Sequence, residues 1–304
     1  MCTRPLPARR VNGQIEFLGR SPTERFYNNK AATLQIPCGQ CAECRLKRSR
    51  EWAVRCMHES SLHRDNCFIT LTYSDDNLDS PSLNYKHFSD FMKRLRKKYP
   101  RDHLSYFVCG EYGETNPSTG IKDGGIYRPH FHAILFGFNF PDRQPVKMIG
   151  RSDLFKSDIL DKLWKKGNCK IGDVTFESCA YVARYAMKKV TGDLAQSHYT
   201  IITPDGEIIE REPEMLHMSK RPAIGRMWFE RYGRHAYAHD SVIARGVEMQ
   251  PPRYYDKLLP DVIRSMISDN RATEGNVHRA DHTDARNNVR DVVVQAGIDQ
   301  FNRE

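Results

Sequence analysis

The chain of 304 residues is basic, with 47 Lys and Arg against 38 Asp and Glu and a net charge of +9. A surplus of this sign favours polyanionic partners such as nucleic acids. Nine cysteines, an odd number, with no signal peptide and no transmembrane run, argue against a secreted disulfide framework and predict a protein of a reducing cytoplasm. No glycine-rich phosphate loop is evident in the sequence, so an ATP-driven helicase is not expected.

Residues 1–63 are predicted to form a cysteine-rich arm that ends in a helix over residues 42–63. Three cysteines follow a C-x-x-C-x-x-C spacing: Cys38, Cys41 and Cys44. This spacing is short enough to surround one structural Zn²⁺, with Cys2 or Cys56 as the fourth thiolate. Two alternatives stay open. The three cysteines can be free thiols on a short helical turn, or ligands of an iron–sulfur cluster, although the four-cysteine spacing of ferredoxins is not reproduced.

Residues 64–195 are predicted to form the catalytic domain, an α+β unit with an antiparallel sheet. Apolar runs predict strands over residues 67–73, 106–109, 130–138 and 170–176. Helical periodicity predicts helices over residues 85–99, 153–165 and 178–190. Seven basic residues lie between positions 86 and 101 on the first of these helices and just beyond it. They either follow a DNA backbone or form a solvated helix surface.

The strand over residues 130–138 begins with two histidines one residue apart. In an extended chain, residues i and i+2 point to the same face, so His130 and His132 can offer two imidazoles to one divalent cation while Phe131 packs into the core. The alternative is a half-exposed strand face without a metal.

The helix over residues 178–190 has two distinct faces. Its apolar side contains Val182, Ala183, Ala186, Met187 and Val190. Tyr181, Tyr185 and Lys188 lie on the other side, with Lys189 at the edge. Either tyrosine alone would be typical of an amphipathic boundary position with its hydroxyl in water, but the pair beside a two-histidine strand favours a chemical role.

These motifs together resemble a known superfamily. His-hydrophobic-His on a strand, followed by Tyr-x-x-x-Tyr-x-x-Lys-Lys on a helix, is similar to the HUH endonucleases that initiate rolling-circle replication. Further segments resemble the replication initiators of small single-stranded DNA phages of the Microviridae, gokushovirus type: residues 38–45, 50–56, 68–73, 110–113 and 251–255. The resemblance runs from about residue 1 to residue 260. It implies a central five-stranded antiparallel sheet with packed helices.

The chemistry follows from the residue types. Transfer of a phosphodiester to tyrosine needs an in-line nucleophile and a cation that polarises the phosphate, here Mg²⁺ or Mn²⁺. Lys188 or Lys189 can favour the phenolate, and both lie within reach of Tyr185, which weakly favours Tyr185 as the first nucleophile. Two tyrosines about one helical turn apart would let the second cut while the first still holds DNA.

A hard cation held by two neutral imidazoles is expected to take a carboxylate as third ligand. Glu111 is predicted for this role, because it follows the apolar run of residues 106–110 and the resemblance places an acidic ligand there. Glu114 and Asp123 are the alternatives. They lie in the Gly/Asn/Pro/Ser-rich connection of residues 113–125, where side-chain positions are less fixed.

The C-terminal third is predicted to be an accessory region over residues 196–260 followed by a polar tail over residues 261–304. Residues 199–202 and 207–210 flank Pro204-Asp205-Gly206 and predict a hairpin. Pro222 precedes a predicted helix whose aromatic residues either pack in a core or stack on bases. The tail, rich in Arg, Asp and Asn, is interpreted as mobile or bound to a partner.

The sequence therefore predicts a phage rolling-circle replication initiator acting in the host bacterial cytoplasm. Its activity would be metal-dependent, site-specific nicking and rejoining of single-stranded DNA through a 5′-phosphotyrosine, which leaves a 3′-OH primer. The expected partners are single-stranded DNA at a replication origin and the host helicase and polymerase, with no membrane. The alternatives are a relaxase or transposase of the same HUH chemistry, or a catalytically inactive DNA-binding protein.

Overall fold

The structure is a computed structural model that describes residues 2–12, 14–18, 31–101, 103–114, 127–149, 152–184, 189–190, 192, 194–202, 206–277 and 283–301. By its internal contacts the chain divides into two compact units. The larger unit comprises residues 49–255. The smaller unit comprises residues 1–48 and 256–304.

The described residues form nine α-helices and fourteen strands. The helices are α1 (Ala42–Ser60), α2 (Tyr85–Lys98), α3 (Asp158–Trp164), α4 (Phe176–Arg184), α5 (Leu194–Tyr199), α6 (Arg226–Ala238), α7 (Arg253–Asp256), α8 (Asp261–Val277) and α9 (Asp284–Phe301). The strands are β1 (Leu6–Val11), β2 (Gln14–Phe17), β3 (Leu34–Ile36), β4 (Asn66–Thr72), β5 (Ser105–Tyr112), β6 (Pro129–Phe136), β7 (Gln144–Ile149), β8 (Ser152–Lys156), β9 (Cys169–Gly172), β10 (Thr200–Ile202), β11 (Ile208–Glu210), β12 (Met215–Met218), β13 (Val242–Ala244) and β14 (Val247–Met249).

The larger unit is organised around a seven-stranded antiparallel sheet with the strand order β12-β5-β6-β4-β9-β8-β7. The predicted α+β class with a large antiparallel sheet is confirmed. The predicted number of five strands is wrong, because β12 pairs with β5 at one edge and the β7–β8 hairpin extends the other edge beyond β9. These additional strands are short, and the sequence analysis did not detect β7, β8 or β12.

Alternate residues of the sheet feed two separate cores. On one face, α2 and α3 pack against odd-numbered residues of β6 such as Phe131 and Leu135. On the other face, α1 and α4 pack against the even-numbered residues Ile134 and Phe136. This period of two is what places the histidines of β6 on the α1/α4 face, with Phe131 buried on the opposite side.

The helix predicted over residues 153–165 is only partly correct. Its first residues form β8, where Phe155 is paired with Ile171 of β9. The helix begins at Asp158 because Ser157 is its N-cap, and the Ser157 hydroxyl accepts a hydrogen bond from the amide of Leu160 at 3.0 Å. Capping chemistry therefore overrode the helical periodicity of the preceding residues.

The strand and helix predicted near residues 170–190 also shift. β9 ends at Gly172, and α4 begins at Phe176, which was predicted to be strand. The amide of Thr175 donates to the Ser178 hydroxyl at 2.9 Å, while the amide of Ser178 donates to the Thr175 hydroxyl at 3.2 Å. This reciprocal pair fixes the N-terminus of α4 two residues earlier than predicted.

In the accessory region, β10 and β11 pair in antiparallel register, which confirms the predicted hairpin. α6 follows Pro222, as expected. Its ring contacts include a stack of Trp228 on His58, so at least this aromatic packs within the protein. None of the described helices is long and apolar enough to cross a membrane.

The smaller unit contains a three-stranded antiparallel sheet, β2-β1-β3, together with α8 and α9. The sequence analysis predicted neither this sheet nor helices in the polar tail. Asp291 of α9 accepts hydrogen bonds from the Thr3 hydroxyl at 2.8 Å and from Arg4 Nη2 at 2.5 Å. The N-terminal segment and the C-terminal helix are therefore in direct contact.

Candidate metal centre and tyrosine site

Strand register brings Glu111 and His130 together. β5 and β6 pair so that Glu111 lies opposite His130, and Cys109 lies opposite His132. The sequence analysis placed Glu111 after its strand. It lies inside the strand instead, because pairing between β5 and β6 continues as far as Tyr112. The carboxylate is thus held by backbone pairing on a central strand rather than on a loop.

The side chains of this pair and of His132 converge on one point. Glu111 Oε1 lies 2.7 Å from His130 Nε2 and 2.9 Å from His132 Nε2. Glu111 is 1 % exposed and His132 is 6 % exposed, whereas His130 is half-buried. The site is therefore shielded on the protein side and accessible beside His130.

The outer nitrogen of each ring has a partner that fixes the ring. His130 Nδ1 lies 3.2 Å from the backbone oxygen of Arg128, and His132 Nδ1 lies 3.0 Å from Thr70 Oγ1. A backbone carbonyl only accepts, so Nδ1 of His130 carries the hydrogen, and Nε2 of the neutral ring presents its lone pair to Glu111. Metal-binding histidines are oriented by such contacts in general.

A lone pair on His130 Nε2 that faces a carboxylate oxygen at 2.7 Å requires a proton or a cation between the two atoms. Cis ligands of an octahedral ion with bonds of about 2.1 Å lie about 3 Å apart, close to the two observed separations. Two imidazole nitrogens and one carboxylate oxygen also form a donor set that divalent cations accept. The Glu111, His130 and His132 cluster is consistent with a bound metal ion.

The electrostatics of Glu111 favour its charged form. Burial raises the pKa of this carboxyl, but hydrogen bonds and positive charge from His130 and His132 outweigh burial and leave the pKa below its ordinary value. An ionised carboxylate is the form that binds a cation.

Tyr181 on α4 adjoins the cluster. Its hydroxyl lies 3.5 Å from His132 Nε2, and its ring packs edge-on against His132 with centroids 5.0 Å apart. Phe68 stacks on the other side of the His132 ring and also contacts the ring of Tyr181. Ser49 of α1 donates a hydrogen bond to the backbone oxygen of Ala180, which ties the tyrosine-bearing turn to a neighbouring helix.

The other residues predicted for this site divide into two groups. Tyr185, Lys188 and Asp123 lie outside the described residues. Lys189 is exposed and lines a cavity of about 810 Å³ together with the first residues of α2 and with β12. Glu114 is described, half-buried, and lies just beyond β5.

Three residues near the site were not singled out as site residues by the sequence analysis. Thr70 orients His132, Ser49 holds the backbone beside Tyr181, and Arg184 lies with its guanidinium carbon 5.9 Å from the centre of the Tyr181 ring. Arg184 is three residues after Tyr181 on the same helix, so helical spacing alone could have identified it. The other two depend on contacts between elements distant in sequence.

A second cluster in the smaller unit contains the sulfur atoms of Cys2, Cys38, Cys41 and Cys44, all within 4.8 Å of one another. This cluster is also consistent with a metal ion. Cys56, predicted as an alternative fourth ligand, is not part of it. Cys56 is fully buried in α1 within the larger unit, in the same apolar cluster as Cys179.

Comparisons with known proteins identify the family. A family model for the replication-associated protein ORF2 matches residues 66–190, a range that contains Glu111, both histidines and Tyr181. The chain is 33 % identical over 265 residues to replication-associated protein VP4 of Bdellovibrio phage phiMH2K, covering 84 % of this chain and 75 % of the relative. The chain belongs to the Microviridae-type phage replication-associated proteins.

Two further relatives of this replication-associated family agree. Replication-associated protein ORF2 of Spiroplasma virus 4 is 30 % identical over 278 residues, which is 84 % of this chain and 79 % of the relative. Replication-associated protein ORF4 of Chlamydia phage 1 is 27 % identical over 264 residues, 84 % of this chain and 60 % of the relative. No solved structure matches the chain significantly. The family resemblance drawn from the sequence is confirmed, and the relatives support a role in phage replication.

Proposed function

We propose that this replication-associated protein initiates rolling-circle replication by cutting and rejoining single-stranded DNA at the phage origin. The single observation that supports this proposal most strongly is the juxtaposition of Tyr181 with the Glu111, His130 and His132 cluster. A nucleophilic hydroxyl lies 3.5 Å from a ring nitrogen of a three-residue cation site. The sheet with helices on both faces would be an HUH-type scaffold, enlarged by the β7–β8 hairpin.

The cation would be Mg²⁺ or Mn²⁺, held by Glu111 Oε1 and the Nε2 atoms of His130 and His132. Bound there, it would polarise the scissile phosphate and offset its negative charge. The three side chains are held in place by strand pairing and by the outer contacts of both rings. They therefore need little reorganisation when the phosphate arrives.

The covalent step takes place on Tyr181 or on its partner Tyr185. The phenolic oxygen attacks phosphorus and loses its proton to solvent, a new phosphorus–oxygen bond forms, and the bond from phosphorus to the 3′ oxygen breaks. The 3′ oxygen takes up a proton and becomes the 3′-OH primer. The 5′ phosphate stays on tyrosine, so attack by a 3′-OH regenerates the diester and frees the enzyme.

Positive charge near the phenol supports this role. Arg184 lies beside the Tyr181 ring, and Lys188 and Lys189 follow on the same stretch of chain. A cation close to a phenol favours the phenolate over the neutral form. The overall charge of +9 would help to recruit a DNA strand, and the host helicase and polymerase would extend the primer.

The decisive experiment is a nicking assay with single-stranded oligonucleotides tiled along the genome of the encoding phage, in Mg²⁺ or Mn²⁺. Denaturing gels would show a covalent protein–DNA adduct and a fragment with a free 3′-OH. Tyr181→Phe and Tyr185→Phe should each retain some adduct but fail at repeated cutting and rejoining, and the double variant should form none. The matched control is Tyr232→Phe, an exposed tyrosine of α6. An undiminished adduct in the double variant, or an adduct mapped to another tyrosine, would overturn the proposal.

A further inference from the structure

We propose that Cys2, Cys38, Cys41 and Cys44 bind one Zn²⁺ in a tetrahedral four-thiolate site that fixes the N-terminal segment of the chain. The site is independent of the proposed nicking chemistry and lies within the smaller unit. Its ligands come from three places in the sequence: the N-terminus, the turn after β3, and the start of α1.

The separations of the sulfur atoms match a single ion. Cys2 Sγ lies 3.5 Å from Cys38 Sγ and 3.8 Å from Cys41 Sγ, and all four sulfurs lie within 4.8 Å of one another. Zinc–sulfur bonds of about 2.3 Å in tetrahedral geometry would place each pair of sulfurs about 3.8 Å apart. The four side chains are thus arranged around one point, with a volume suited to one ion.

Backbone hydrogen bonds stabilise the sulfur atoms in the form that binds metal. The amides of Gln40 and Cys41 donate to Cys38 Sγ at 3.4 and 3.3 Å, and the amide of Cys38 donates to Cys2 Sγ at 3.3 Å. This turn requires Gly39, whose φ of +73° lies in the region that side chains disfavour. Donors directed at sulfur offset the charge of thiolates, as outer contacts commonly do at metal sites.

The geometry distinguishes zinc from the alternatives considered for these cysteines. A disulfide would need a sulfur–sulfur distance of about 2.05 Å, well below the 3.5 Å between Cys2 and Cys38. In a multi-iron cluster the cysteines bind different irons and are held farther apart than ligands of one ion. Four unligated thiols would gain nothing from convergence on one point across 42 residues of sequence.

The proposed ion would also support the docking of the C-terminal helix. Thr3 and Arg4 directly follow the ligand Cys2, and both donate hydrogen bonds to Asp291 of α9. Thr3 is 7 % exposed. Because the ion would anchor Cys2, the two following residues would stay in position to hold α9.

The test is metal analysis of the full chain in a His130→Ala/His132→Ala double variant, so that the other cluster cannot contribute. After incubation with equimolar ZnSO₄ and desalting under reducing conditions, native mass spectrometry should find about one zinc per chain. Adding Cys38→Ser or Cys41→Ser should reduce the zinc content at least about fivefold. The control Cys56→Ala should leave it unchanged, because Cys56 lies outside the cluster.

Hydrogen exchange gives a second measurement that does not depend on the cysteine variants folding. Removing zinc from the double-histidine variant with a chelator should accelerate exchange of the amides of Cys38, Gln40 and Cys41, and adding ZnSO₄ should reverse it. A zinc content below about 0.2 per chain in that variant, retention of zinc by Cys38→Ser, or one bound iron in place of zinc would each overturn the assignment.

Discussion

Thr70 Oγ1 lies 3.0 Å from Nδ1 of His132, on the side of the ring away from Glu111. The two residues face each other directly across the pairing of β4 with β6. If His132 binds a cation through Nε2, its Nδ1–H must donate to this hydroxyl. Thr70 would then select the tautomer and the ring orientation of the ligand without touching the ion or DNA.

We therefore expect Thr70→Val to weaken Mn²⁺ binding about 10- to 100-fold with little change in fold stability, because valine keeps the shape but cannot accept the hydrogen bond. Isothermal titration with MnCl₂ measures the affinity. The matched control is Thr72→Val on the same strand, opposite His130, because the Thr72 hydroxyl bonds the backbone oxygen of Asn168 instead. Equal losses in the two variants would show that Thr70 has no specific role.

A second prediction tests the carboxylate. Glu111→Gln keeps the size of the side chain but removes its charge, so it should lower Mn²⁺ affinity at least about 100-fold, since hard cations depend on charged oxygen ligands. Electron paramagnetic resonance of free Mn²⁺ in a titration measures this directly. Glu114→Gln is the control, since Glu114 lies beyond the end of β5. A larger effect at Glu114 than at Glu111 would reassign the ligand.

The sequence predicted the residues of this site better than the elements that position them. His130 and His132 are adjacent in one strand, so period-two geometry alone puts them on one face. Glu111 depends on the register between β5 and β6, which local sequence does not encode. Thr70 likewise becomes a neighbour of His132 only through strand pairing between residues 62 positions apart.

The smaller unit was harder to predict for the same physical reason. The C-x-x-C-x-x-C spacing identified three of the clustered cysteines, but the choice between Cys2 and Cys56 required the fold of the N-terminal segment. α8 and α9 are polar over much of their surfaces, so hydrophobic periodicity gave little indication of helices there. Their contact with the N-terminus depends on Asp291, one of many acidic residues in the tail.

A third prediction concerns a buried arginine on α1. Arg55 is 8 % exposed and lies between the rings of Trp52 and Tyr254, with its guanidinium carbon 4.0 and 3.8 Å from their centres. Its Nε and Nη2 both donate to the backbone oxygen of Ile224. Lysine cannot reproduce this planar stack or both hydrogen bonds. Arg55→Lys should therefore lower the free energy of unfolding by about 2 kcal/mol.

Urea denaturation followed by tryptophan fluorescence measures this loss. Arg50→Lys is the matched control, because Arg50 is exposed on the same helix and should change stability by less than about 0.5 kcal/mol. Similar effects at both positions would mean that the aromatic and backbone contacts of Arg55 contribute no specific stability.

The last prediction concerns pH and His58. This ring stacks on Trp228 with centroids 3.5 Å apart, and its Nδ1 lies 3.0 Å from the Tyr255 hydroxyl. Burial lowers the pKa of His58 from 6.5 to about 4. Between these two pH values the unfolded chain binds a proton here that the folded chain does not. The free energy of unfolding should therefore fall as pH falls from 6.5 to 4, by up to about 3 kcal/mol from this residue.

His58→Phe removes the titration and keeps an aromatic ring against Trp228, so its free energy of unfolding should decline less steeply over this range than that of the wild type. Urea titrations at about pH 7, 5.5 and 4.5, followed by tryptophan fluorescence, give the two slopes. Other carboxylates and histidines titrate in the same way in both proteins, so the difference between the slopes isolates His58. His239→Gln, at an exposed histidine after α6, should leave the wild-type slope unchanged. Parallel curves for His58→Phe and wild type would mean that the folded protein accepts a proton at His58 as readily as the unfolded chain does.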